Sequence, residues 1–119
     1  MTAADDAADA AREKLLDLLR NRVRAPIERR ADEILDSFVD DNEGLAAFQL
    51  ARADLDQLIA HLEHANLKVL SRRLDSHRSE LSSGIRDMTD SLKSAKSLTH
   101  SAELFATVVG VLARIVALA

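Results

Sequence analysis

An all-α fold is what this chain predicts, and three observations predict it. One Pro and three Gly in 119 residues supply too little turn chemistry for many short strands. Apolar residues make up 47% of the chain and are almost all Ala, Leu, Val and Ile, with three Phe and no Trp or Tyr. These residues also recur at steps of three and four, the period of a helix face. The length suits a single domain, residues 1–119, around one core. With 30% charged residues the chain is neither disordered nor a polytopic membrane protein. The expected architecture is an elongated three-helix bundle or antiparallel coiled coil. The alternative is a helical hairpin with one very long C-terminal helix.

The first helix is expected over about residues 3–40. Thr2 can cap it, and Asp5 and Asp6 lie in its first turn, where the helix dipole favours negative charge. Leu16, Leu19, Val23, Ile27, Ala31, Ile34 and Phe38 form its apolar stripe. Pro26 interrupts the stripe. A proline removes one backbone bond and costs roughly 3 kcal/mol in a helix interior. A kink, or two helices meeting near Ala25, is the expectation.

Asp40–Gly44, "DDNEG", is the clearest boundary. Asp40 and Glu43 resemble a capping box, and Asn42 or Gly44 suits a left-handed turn. A second helix is expected over about 43–81. Its seam is Phe48, Ala51, Leu55, Leu58, Leu62, Ala65 and Val69, continued by Leu74, His77 and Leu81. Ser82–Gly84 is a weaker boundary. A third helix, over about 85–118, then carries Ile85, Met88, Leu92, Ala95, Thr99 and Ala102, and it is continuous with the second in the hairpin alternative. The three pieces, each about 55 Å long at 1.5 Å per residue, suit an up-down-up layout. The serines between Ser71 and Ser101 read as a solvated helix face.

No catalytic activity and no cofactor are expected. The chain has no Cys, no Gly-x-Ser-x-Gly elbow and no Gly-rich phosphate loop. His61, His64, His77 and His100 read as ordinary surface or boundary residues. Helical di-metal sites use Glu-x-x-His pairs, and none occurs, so no metal is expected. Five arginines, Arg20, Arg22, Arg24, Arg29 and Arg30, crowd into eleven residues. Asp17, Glu28, Asp32 and Glu33 are within helical pairing reach, which makes a solvated, partly paired face the plain reading. The functional reading is contact with an acidic protein surface. Nucleic acid is not an expected partner, because the net charge is −4 and no aromatic residue interleaves with the arginines.

The C-terminal stretch Glu103–Ala119 is the most apolar. On a helix, Glu103, Thr107, Gly110 and Arg114 form one narrow polar strip, flanked by Ala106, Ala113 and Ala117. The rest is large and apolar: Leu104, Phe105, Val108, Val109, Val111, Leu112, Ile115, Val116 and Leu118. That arc is wider than the usual stripe of a surface helix. Only ten residues separate Glu103 from Arg114, against about 20 needed to cross a bilayer, so the stretch is a poor span. A slender bundle covering it from one side would leave a sizeable apolar patch wet, the mark of an interaction surface.

A homo-oligomer, or another helical protein, is therefore expected to supply the cover. The interface would comprise Leu55, Leu58, Leu62 and Leu92 with Leu104, Phe105, Val108, Leu112 and Ile115. The expected function is that of a non-enzymatic structural or adaptor protein acting through helix–helix association. The alternative is a membrane-active protein whose terminal helix inserts into a bilayer or lies on it, as an anchor or pore. The acidic, Ala-rich start is unlike a secretory signal, so cytoplasmic residence is expected, with peripheral membrane association as the alternative.

Overall fold

Helix α1 spans Ala3–Leu18 and passes into a π-helical turn at Leu19–Arg24, then into α2 (Ala25–Arg29) and α3 (Ala31–Ser37). Three longer helices follow: α4 (Asn42–Leu62), α5 (Leu67–Ser94) and α6 (Leu98–Val116). The computed structural model describes residues 3–94 and 97–116, and these contain no strand. The fold is all-α, as composition and periodicity predict. Thr2, Ala95, Ala117 and Leu118 lie outside the described residues, as do the side chains of Asp5 and Asp6.

The first arm runs from α1 to α3, and its irregularity has a cause in the sequence. Leu19, Val23, Ile27 and Ala31 are all buried and follow each other at steps of four. An α-turn holds 3.6 residues, so a four-residue stripe drifts by about 40° per step. A π-turn, bonded from residue i to i+5, is wider and takes up that drift. Ala25 N–H accordingly donates to Arg20 O, five residues back. Pro26 sits in the first turn of α2, where its missing N–H matters least. Arg30, at φ −118° and ψ 14°, then separates α2 from α3.

Asp40 reverses the chain with φ 58°, a left-handed conformation that Asp tolerates better than most residues. Asp41 caps α4, its carboxylate accepting the Gly44 N–H at 2.9 Å. The turn is thus shifted from the expected one, in which Asp40 caps and Asn42 or Gly44 is left-handed. Gly44 serves a different need. A Cβ there would meet the Asp41 carboxylate and approach the Phe38 ring to 2.8 Å.

The remaining boundaries also differ from expectation. The anticipated helix over 43–81 breaks at residues 63–66, and Asn66 caps α5 by accepting the N–H groups of Lys68 and Val69 at 3.1 and 3.2 Å. Neither the anticipated 85–118 helix nor the continuous long helix forms, because α5 ends at Ser94 and α6 starts at Leu98. Ser97 Oγ accepts the His100 N–H at 3.2 Å to cap α6. Ser82–Gly84 is no boundary. Gly84 is a notch inside α5, where an added Cβ would lie 3.2 Å from Val108 Cγ2 of α6.

The outcome is four antiparallel arms in an envelope of 53 × 23 × 21 Å. Arg24 and Glu28 of the first arm pair with Asp56 and Arg52 of α4, and Glu80 and Ser91 of α5 with Arg114 and Ser101 of α6. In each pair numbers rise on one arm as they fall on the other, so the arms run antiparallel. Helix α6 packs along both α5 and α4 and touches α3. It is the central element. The chain's three phenylalanines meet beside its N-terminal half, Phe48 lying 6.2 Å from Phe38 and 5.9 Å from Phe105, centroid to centroid. Three arginines reach from one arm to a carbonyl at the C-terminal end of another: Arg12 to Glu63 O at 3.5 Å, Arg30 to Leu92 O at 2.7 Å and Arg73 to Arg114 O at 3.3 Å. Each places a cation where the helix dipole favours one.

Candidate functional site

The C-terminal helix does not leave its oily arc open. Phe105, Leu112 and Ile115 are 0% exposed and Val108 1%. Leu55, Leu58, Leu62 and Leu92 are buried as well, and Leu104 is half-buried. These nine residues, expected at an assembly interface, belong to the chain's own core. The expectation counted cover from one side of a slender bundle, whereas α3, α4 and α5 approach α6 from several. The uncovered-area argument for a homo-oligomer is therefore corrected. With four arms, one copy buries the arc among the described residues apart from the half-buried Leu104.

What α6 shows to solvent is its polar strip of Glu103, Thr107, Gly110 and Arg114. Thr107 Oγ1 donates back to Glu103 O at 3.1 Å. Arg114 reaches Glu80 at 2.6 Å, and His77 Nδ1 lies 3.4 Å from the same carboxylate. The hydrogen bond from His77, assisted by that from Arg114, holds Glu80 below the usual carboxylate range. On the opposite flank, the buried Ser101 hydroxyl bonds Ser91 Oγ at 2.7 Å, tying α6 to α5.

The arginine cluster lies on the π-turn and α2, and the fold divides it. Arg24 pairs with Asp56 of α4 at 3.3 Å. Arg30 is held by Glu33 at 2.9 Å and by Leu92 O. Arg29 folds back so that its Nε donates to Ala25 O at 3.3 Å, which leaves its charge uncompensated by that bond. Arg20 and Arg22 are exposed on the π-turn and form no ion pair among the described residues. Of the acids within sequence reach, Asp17 accepts from Asn21 instead, and Glu28 goes to α4.

Beside this cluster a shallow cleft of about 460 Å³ opens between α2 and α5. Arg29, Arg30 and Lys93 line it together with Pro26, Thr89 and Leu92, and no carboxylate does. Sequence periodicity cannot bring Lys93 to Arg29, because they sit 64 positions apart on different arms.

Arg52 was equally hidden in the sequence. It forms a two-pronged pair with Glu28 at 2.9 and 2.6 Å and lies 5.6 Å above the Phe48 ring. Its hydrogen bond to Glu28 raises its pKa further. His61, His64 and His100 are exposed, and His77 is half-buried. Among the described residues no His, Asp and Glu group could hold a metal ion. The arrangement offers guanidinium and ammonium groups on a rigid frame, a surface suited to carboxylates or phosphates. No protein family, curated protein or solved structure matches this chain.

Proposed function

We propose that this protein is a non-enzymatic helical adaptor that engages an acidic segment of another protein through the arginine face of its first arm. The carrying observation is the exposure of Arg20 and Arg22 without ion pairs among the described residues, on a chain whose net charge is −4. On this acidic chain Arg20, Arg22 and Arg29 crowd into one short stretch of the first arm without an ion pair among the described residues, a local positive charge opposite to the overall one that favours an oriented encounter. Nucleic acid suits this surface less, since no aromatic side chain stands beside the arginines.

The test is site-specific photo-crosslinking in the expressing cell. A crosslinker at position 22 should give a discrete protein adduct that disappears when Arg20 and Arg29 are reversed to Glu. A crosslinker at position 79, on exposed α5, should give none. Identical adduct patterns at the two positions would sink the proposal.

A second reading is membrane action by α6, and one observation favours it. Helix α6 is 19 residues long with mean hydropathy 1.3, enough by length and composition to span a bilayer. Insertion would require α6 to leave the core and to carry Glu103 and Arg114 with it, at a cost of several kcal/mol. Flotation with vesicles of zwitterionic lipid, to which exposed arginines are not drawn by charge, separates the two readings. Adaptor function leaves the protein at the bottom of the gradient, whereas insertion brings it to the top.

A further inference from the structure

We infer that the cleft between α2 and α5 is the seat of that acidic segment, with Arg29 and Lys93 as the pair that grips a Glu or Asp carboxylate; this rests on the adaptor reading above. The cleft brings three cations together from two arms, with no carboxylate on its walls. Arg30 is already paired with Glu33 and bonded to the α5 carbonyl at Leu92, so its charge is largely answered and the grip falls to Arg29 and Lys93. Arg29 and Lys93 are exposed and stand on opposite sides of the opening, one from each arm. The Arg29 guanidinium uses only its Nε inward, toward Ala25 O, so its two terminal nitrogens remain for a carboxylate. Thr89 Oγ1 donates to Ile85 O at 2.8 Å, so it offers no free proton and the cations set the recognition.

The floor is set by Pro26 and Leu92, side chains that cannot compete for the ligand's charge. An acidic peptide is matched to the cleft by charge, since two exposed cations, one from each arm, border it and no carboxylate lines it. Carboxylates of the peptide would meet Arg29 and Lys93 there.

Fluorescence anisotropy with a labelled peptide of alternating Glu and Ala, on the full chain at low salt, tests this. The variants are Arg29→Ala/Lys93→Ala, Arg20→Ala/Arg22→Ala and a charge-matched control, Lys68→Ala/Arg72→Ala, at exposed positions on the other end of α5. Circular dichroism confirms that each remains helical. The inference expects at least a tenfold loss of affinity for the first variant and less than a threefold loss for the control. Equal losses in both, or peptide binding that only Arg20→Ala/Arg22→Ala weakens, would overturn the cleft assignment while leaving the acidic-partner reading in place. No binding by the unmodified protein would overturn both. Tighter binding of a single-stranded oligonucleotide or of anionic vesicles than of the peptide, lost in the same variant, would overturn the choice of a peptide as occupant.

Discussion

Replacing Phe105 with Ala asks directly whether α6 belongs to the core of one copy. The ring is fully buried and contacts Phe48 edge-on, with Phe38 behind it. Phe→Ala at such a site removes the transfer free energy of the ring and leaves a cavity, about 3–5 kcal/mol in all. A chain of this length gains about 0.25 kcal/mol per kelvin of entropy on unfolding, taking roughly 2.1 cal/mol/K per residue. Dividing the one by the other gives a fall in Tm of roughly 12–20 °C. Thermal unfolding followed by circular dichroism at two concentrations a hundredfold apart is the assay. A single-copy core predicts the full drop and a Tm independent of concentration in both proteins. A fall of only a few degrees, combined with a concentration-dependent Tm in the parent, would refute the placement of Phe105 and restore the assembly interface.

Four further expectations use the same assay. Gly110→Ala should raise stability by about 0.8–1 kcal/mol, since the position is exposed mid-helix and an added Cβ meets nothing within 4 Å. Gly84→Leu should lower it by about 1–3 kcal/mol, because the notch against Val108 has no room for a side chain, and a Tm unchanged or raised would show α5 and α6 to be less closely packed. Asp41→Ala removes the cap on Gly44 N–H and should cost about 1 kcal/mol, whereas Asp40→Ala should not reproduce the loss through any cap. For Glu80, the folded-state pKa is depressed, so its contribution is present above the ordinary Glu range and fades as pH falls through the lower folded value. The Tm of the parent should therefore exceed that of Glu80→Gln slightly near neutral pH, and the gap should narrow as pH falls below the ordinary Glu range; a gap that widens in acid would reverse the sign of the effect.

Which parts of the fold were legible follows from the range of each signal. Most inward positions were, because burial follows the helical period: Phe48, Leu55, Leu62, Ile85 and Met88 lie where their spacing puts them. Past the break at 63–66, however, the register shifts, so that Leu70 is buried and Val69, Leu74 and His77 are only half-buried. So was the polar strip of α6. The breaks were less so. Asn66 and Ser97 are ordinary cap residues, but the apolar seam runs across both turns, from Leu62 to Ala65 and from Leu92 to Ala102, and masks them. Gly84 misled for the opposite reason, since a glycine that admits a neighbouring helix looks in sequence like one that ends its own. The exact four-residue steps from Leu19 to Ala31 did hold the π-turn, as a period longer than an α-helix can keep on one face. At the candidate site, the arginines were visible as a run. Their partners Asp56, Leu92 and Lys93 come from other arms, and pairing rules within a helix cannot reach them.

The links from Arg12, Arg30 and Arg73 to backbone carbonyls have a property the carboxylate pairs lack. A guanidinium keeps its proton at every pH a protein meets, and a peptide oxygen has none to gain. Acid that neutralises Glu80 loosens its hold on Arg114, yet it leaves untouched the three ties that fasten helix ends across the bundle. At these three points the hold of a helix end on its neighbour is thereby independent of the proton concentration.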